Sequence, residues 1–370
     1  WATNHPVNVG MSNFDTYRYD YFLDQVVLFE AFKKGDYDFR QESISKQWAK
    51  DYVGENFDKQ LIIKEEIPHQ NPQANQSFAF NIQKPMFKDA KVRQAIGMLF
   101  DFEWSNKNLF YNAYTRNYSM FMNTEYAATG LPSKGELEVL ESVKDKLPKE
   151  LFTQEFTLPI TKGDGNIRLQ MRDAINLLKE AGYNLVDKKM VDKDGNQLSF
   201  ELMLYGKTME RVAIPFKENV EKIGIKMDIQ VLTDSAQFVN RMRERKYDMM
   251  TAHLGGGVFP SEDLLFEWHS EYLDSTYNAV GTTDEVIDYL VQGIADNQNN
   301  DEKLLAFGRA LDRVVLWRHY SIPHWHIPVY RVAYWNKFSR PEITPKYALG
   351  TGSWWYDAEK AKQLEQAQSK

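Results

Sequence analysis

Residues 191–251 constrain the fold more than any other part of the chain. VDKDGNQLSFELMLY (191–205) reads as a hairpin turning at Asp194-Gly195, a pair that supplies the positive φ a tight β-turn needs. Val212, Phe216, Val220 and Ile223 then recur at helical spacing, and the helix stops at Gly224. Met227, Ile229 and Val231 alternate as in a strand, a helix is expected over 234–245, and 247–251 reads as a strand again. Strand, helix, strand, helix, strand is an α/β pattern with a mixed sheet.

The flanks extend the pattern. Strands are expected at 16–22 (TYRYDYF), 60–67 (QLIIKEEI) and 77–83 (SFAFNIQ), with a helix over 25–33 that stops at Gly35. Between the second and third of these strands lies a polar, Pro-containing connection without periodicity, which marks 68–76 as a boundary or hinge. Asp89 reads as the N-cap of a helix carrying Val92, Ala95, Ile96 and Leu99, followed by a helix over 103–111. Residues 115–165 read as irregular apart from a helical stretch at 135–146. From Ile167 a helix presents Met171, Ala174, Ile175 and Leu178 and ends before Gly182. After a loop-rich 253–283, helices are expected at 284–294 and 302–318. SIPHWHIPVYRVAYW (321–335) reads as extended chain broken by Pro323 and Pro328, and the polar tail from Asp357 as a helix.

A chain of 370 residues suggests two or three lobes and buries a sizeable core. Its net charge of −7 provides no basic excess for phosphates, which argues against nucleic acid as a partner. The absence of cysteine excludes thiolate catalysis, Cys-bound zinc and disulfides, and it fits an oxidising compartment. No apolar run reaches membrane-span length, and no signal peptide is visible. The chain starts at Trp1 in what reads as mid-loop, as a piece of a longer protein would. Aromatic residues make up 14%, which suits large cores and an aromatic-lined cleft alike.

Few constellations point to chemistry. His324 and His326, on one face of a strand, offer two imidazoles to a metal but no fixed third ligand. Asp192-x-Asp194-Gly195 is a fragment of a calcium loop without its closing Glu, and a hairpin turn explains it better. Gly255-Gly256-Gly257 follows a strand and lets backbone approach a ligand, yet it lacks the spacing of a phosphate loop. Glu262, Asp263 and Glu267 lie near Trp268, where a glycan hydrolase would need two opposed carboxylates, but nothing in the spacing singles out a pair. There is no G-x-S-x-G elbow.

The order of segments carries more information. YRYDYFLDQVVLFEAFKKGDYDFR (17–40), FAFNIQKPMFKDAKVRQAIGMLFDFEWSNKNLFY (78–111), ATGLPS (128–133), LLKEAGY (177–183), PFKENVEKIGIKMDIQ (215–230), QFVNRMRERKYDMM (237–250), ALDRVVLWRHYSIPHWH (310–326), RVAYWNKF (331–338) and WWYD (354–357) follow one another as in a known family. The chain resembles bacterial extracellular solute-binding proteins of family 5, the oligopeptide, dipeptide and nickel binders of ABC transporters, and within them the microcin-C-type peptide branch. The resemblance implies a periplasmic-binding-protein-like two-lobed α/β fold with mixed sheets (type II), of which this is the C-terminal part. Residues 1–76 would belong to the first lobe, 77–325 would form the second, ligand-binding lobe, and 326–370 would return to the first.

What the resemblance implies about function is capture of a peptide or peptide-like solute in a cleft between lobes, for delivery to ABC permease membrane subunits. The protein would be a monomer with no cofactor, no metal and no enzymatic activity, placed in the periplasm or anchored outside the cytoplasm. A metal chelate or haem-like cargo is the alternative on the same fold, and glycan hydrolysis the alternative of another class. In peptide-binding relatives the segment 247–268 lines the cleft and carries a Trp and an amine-pairing Asp. Here Leu254 and Gly257 stand near those places, so another carboxylate must serve, with Glu262 and Asp263 as candidates. His253, Gly255, Gly256, Gly257, Glu262, Asp263, Trp268, Tyr277 and Asn278 form the expected ligand-binding set.

Overall fold

A computed structural model describes residues 2–369; Trp1, read above as part of a loop, and Lys370 lie outside the described residues. The chain divides into two compact units. One takes residues up to Asn71 and from Ile327 onward, and the other takes Pro72–His326. The chain therefore leaves the first unit once and re-enters it once.

The first unit is built on an antiparallel three-stranded sheet in the order Phe39–Gln41, Val329–Trp335, Ile62–Pro68. Successive residues of a strand face opposite sides, and both sides are covered. Ala333 and Ile62 pack with Phe29, Phe32, Trp48 and Trp335. Val332 and Ile67 pack with Tyr334 and Trp354. The helix Gln25–Lys34 begins where the Asp24 carboxylate accepts the Val26 and Val27 N–H groups and ends at Gly35, whose φ of 89° suits glycine. Residues 16–22 are extended but belong to no strand, and Tyr17, Tyr19 and Tyr21 are exposed. Alternation there meets no neighbouring strand among the described residues, so the expected strand does not form.

The second unit holds a five-stranded mixed sheet in the order Ser321–Pro323, Asn75–Phe80, Met249–Leu254, Ser199–Tyr205, Lys226–Leu232. The first three strands pair antiparallel and the last three parallel. Strand alternation splits its core into two layers. Phe78, Phe80, Phe200, Leu202, Leu204 and Met249 face the helices Ala90–Gly97, Arg168–Glu180 and Glu210–Lys222. Ala79, Met203, Met250, Ala252 and Leu254 face the helices Lys134–Leu140, Glu285–Asp296 and Asp301–Trp317.

Two expected elements are rearranged. The turn at Asp194-Gly195 forms, with the Asp192 carboxylate accepting the Asp194 and Asn196 N–H groups and Gly195 at φ 83°. Its arms meet only at the Val191–Gln197 bridge, however. Lys189–Val191 pairs instead with Asn184–Val186, and Ser199–Tyr205 is drawn into the central sheet, where its apolar side chains are buried on both faces. The run 321–335 is shared among three sheets: Ser321–Pro323 in the five-stranded sheet, Trp325–His326 against Thr115–Arg116, and Val329–Trp335 in the first unit. No helix among the described residues is long and apolar enough to cross a membrane.

Candidate functional site

The strand Met249–Leu254 delivers the three glycines. Leu254 pairs with Asn75, the first residue of its neighbour, so the chain leaves the sheet at Gly255. Gly255, Gly256 and Gly257 have φ of 68°, 112° and 84°, a left-handed run that L side chains rarely adopt. At Gly255 a Cβ would also come within 2.6 Å of the Met120 Cβ. The turn is bonded on both sides: Gly256 N–H donates to the Met120 carbonyl at 3.0 Å, and Gly255 N–H donates to the Glu267 carboxylate at 2.9 and 3.2 Å. Met120 is held in turn by Asp312 of the long helix, whose carboxylate accepts the Met120 and Ala128 N–H groups at 2.7 and 2.8 Å.

Beside this turn lies a hollow of about 630 Å³, lined by the three glycines with Phe259, Ser261, Asp263, Leu264, Phe266, Glu267 and Tyr277. The short helix Leu264–Trp268 shapes its wall. Leu264 and Trp268, four apart, share one helical face and enter the core, which leaves Glu267 and Phe266 on the cavity side. Phe259, Phe266 and Tyr277 are exposed, so apolar ring surface stands around a carboxylate floor. Tyr277 sits on a pinned loop: the Arg245 guanidinium donates to the Leu273 and Asn278 carbonyls, and the Tyr247 hydroxyl donates to the Ala279 carbonyl at 2.8 Å. Burial pushes the Glu267 carboxyl up to about 7, against the Gly255 N–H and the Trp268 indole, which favour its ionised form.

The structure thus gathers Gly255, Gly256, Gly257, Asp263 and Tyr277 around one cavity and leaves four expected residues off it. Trp268 is fully buried against Tyr320 and supports the wall from behind. Asn278 is buried too, its side-chain carbonyl accepting the Gly281 N–H at 2.8 Å, so it fixes the loop that carries Tyr277. His253 alternates onto the sheet face opposite Leu254, and Glu262 is exposed outside the lining. Glu267, named above beside Trp268 but outside the expected ligand-binding set, also lines this cavity. The signal in the sequence was its place one residue before Trp268, but only the fold shows that it returns to the glycine turn.

The histidine pair does not act as a bite. His324 lies between the strands Ser321–Pro323 and Trp325–His326, and the two rings have different partners, Gln76 for His324 and Asn117 for His326. His324 is fully buried, edge-on to Phe78 at 4.2 Å and stacked on Trp325, and burial holds it well below the usual imidazole range. The His326 ring lies 2.7 Å from the Asn117 side-chain oxygen. Among the described residues no three His, Cys, Asp or Glu side chains gather as metal ligands. A second hollow of about 420 Å³ reaches Arg116 and Arg313. Arg313 is committed to a buried ion pair with Glu136 at 2.8 Å, and Arg116 lies over Phe100 and Phe102.

Residues 1–274 match the family described as bacterial extracellular solute-binding proteins, family 5. The chain belongs to this family. It is 49% identical over 368 residues to the YejA protein of Escherichia coli K12, covering 99% of this chain and 61% of that one. It is 37% identical over 361 residues to a probable peptide-binding protein YejA of Agrobacterium fabrum, covering 96% and 58%. The chain therefore spans about 60% of the length of these relatives. Among solved structures it resembles the oligopeptide-binding protein AppA of Bacillus subtilis in complex with a nonapeptide, with a TM-score of 0.61 at 17% identity over 90% of this chain and 58% of that one. The fold is the mixed α/β fold of periplasmic binding proteins, and the family binds solutes rather than transforming them.

Proposed function

We propose that the chain belongs to the solute-capturing component of an ABC importer, that its cargo is a peptide or peptide-like molecule, and that the cavity beside Gly255–Gly257 holds part of that cargo. The protein acts in the periplasm as a monomer and hands its cargo to permease subunits in the membrane. One observation carries the reading: a glycine turn with no side chain of its own, bonded rigidly in place, borders an open hollow rimmed by exposed aromatic rings. Bare backbone can approach a ligand main chain closely whatever its side chains, and aromatic walls tolerate varied ones. The Agrobacterium relative described as a probable peptide-binding protein and the peptide-bound AppA point the same way.

Native mass spectrometry of the full-length protein with a broad mixture of short peptides tests this. The expected result is retention of a subset with nanomolar to micromolar dissociation constants and no change in peptide mass. Retention of none, or conversion of any peptide, would overturn it.

A further inference from the structure

Arg116 is a buried cation with an unused edge. It borders two hollows of the second unit, of about 420 and about 60 Å³, both of which are also lined by residues 156–159. Its Nη1 donates to the Pro159 carbonyl at 3.0 Å, and its guanidinium lies over the Phe100 and Phe102 rings. Nε and Nη2 are buried with no hydrogen-bond partner among the described residues. These two atoms share one edge of the planar guanidinium, the fork that matches the two oxygens of a carboxylate. Buried donors of a charged group are costly to leave unmet, and native proteins rarely do so without a use. Glu103 and Asp101 feel the charge of Arg116 but are bound to Thr161, whose N–H donates to Glu103 at 3.1 Å and whose hydroxyl donates to Asp101 at 2.6 Å. The other charged residues lining the larger hollow are committed as well. Glu155 accepts the Gly130 N–H at 3.2 Å, and Arg313 is paired with Glu136. Tyr118, Leu158, Ile160 and Leu316 give the same hollow apolar walls.

We propose that Arg116 anchors the carboxylate of a small acid whose apolar body fills the larger hollow, at a second site separate from the glycine-lined cavity. The two cavities share no lining residue. One guanidinium neutralises a monoanion, whereas a phosphate dianion would keep an unpaired charge among apolar walls. The volume of about 420 Å³ is that of a small-molecule site. The fork is shut off from solvent, so it meets the carboxylate when the guanidinium turns about its side-chain torsions or the segment 155–160 yields. That segment has no regular secondary structure and makes no backbone–backbone hydrogen bond among the described residues. Its ties are side-chain contacts such as those of Arg116 with Pro159 and of Glu155 with Gly130. Burial pulls the guanidinium down to about 10, which still leaves it charged at neutral pH.

Isothermal titration of the full-length protein with octanoate and with 1-octanol, which carries the same tail without the charge, provides the test. Wild-type protein is expected to bind octanoate at least about tenfold more tightly than octanol. Arg116→Gln, whose amide can still donate to the Pro159 carbonyl, is expected to weaken octanoate about 10- to 100-fold without a comparable loss for octanol. Circular dichroism shows whether that variant is folded. Ile160→Glu gives a second reading that spares the core, because Ile160 is 78% exposed. A carboxylate placed there at the rim repels the ligand and is expected to weaken octanoate at least about threefold. No octanoate binding at about 1 mM, or equal wild-type affinity for octanoate and octanol, overturns the proposal. Unchanged octanoate affinity in folded Arg116→Gln overturns it too. Should that variant not fold, Ile160→Glu decides: weaker octanoate supports the site and unchanged affinity overturns it.

Discussion

Gly255→Ala and Gly257→Ala put the same change two residues apart and separate two costs. Both positions hold left-handed backbone, with φ of 68° and 84°. A Cβ there costs about 1–2 kcal/mol from local sterics alone. At Gly257 the nearest atom to that Cβ is the Phe259 carbonyl oxygen at 3.4 Å, an ordinary contact. At Gly255 it meets the Met120 Cβ at 2.6 Å and the Met120 carbonyl oxygen at 2.9 Å. Met120 cannot yield freely, because Asp312 holds its N–H and Gly256 its carbonyl. Forcing the methyl group in adds about 1–3 kcal/mol. Gly255→Ala is therefore expected to lower stability by about 2–5 kcal/mol and Gly257→Ala by about 1–2. Urea unfolding followed by tryptophan fluorescence measures both, and the larger loss should be accompanied by weaker peptide binding as the turn shifts Glu267. Equal losses in the two variants would refute the argument that Met120 is a fixed wall.

Further outcomes follow from the same contacts. Arg313→Ala strands Glu136 without its partner in the core and should cost about 3–5 kcal/mol in the same unfolding experiment, whereas a surface pair such as Lys134–Glu138 should cost under about 1. Trp268→Ala should cost about 3–5 kcal/mol, since the side chain is fully buried, and circular dichroism melting would detect it. In ligand-free protein the folded Glu267 carboxyl holds its proton up to about 7, against 4.5 in the unfolded chain. The folded state binds that proton more tightly, so this group's contribution is full below 4.5 and is lost as pH rises through 7. Asp312, raised from 3.8 to about 6, adds to the slope at its lower end, while Asp263 and Tyr277 are the other titratable groups lining the cavity. Glu267→Gln should flatten the upper part of the profile, read as urea midpoints between about pH 5 and about pH 8.

Local signals were legible wherever local chemistry decides the outcome. Asp24, Asp89, Asp234 and Asp284 each cap the helix expected after them, because a carboxylate beside free N–H groups needs no tertiary help. The mixed α/β pattern was legible from the succession of strand and helix signals over 191–251, although Ser199–Tyr205 was read as a hairpin arm and belongs to the central sheet. Residues 16–22 alternate just as clearly and form no strand, since pairing needs a partner that periodicity cannot supply. In the site, three glycines in a row announced a close approach of backbone. The sequence could not tell that Trp268 would be drawn inward with Leu264 while Glu267 stayed at the cavity. That depends on which side of a five-residue helix meets the core, and the helix is too short for its period to show it.

The middle strand of the first unit's sheet is Val329–Trp335, flanked by Phe39–Gln41 and Ile62–Pro68. Chain growth delivers the flanks early and the centre late. Neither flank has its neighbour until Val329–Trp335 has been made, so these contacts of long sequence separation close late, and closure of this kind is slow. Until then both flanks keep unmet backbone groups that invite pairing with other chains, whereas in the second unit Ser199–Tyr205 and Lys226–Leu232 lie close in sequence and pair soon after one another.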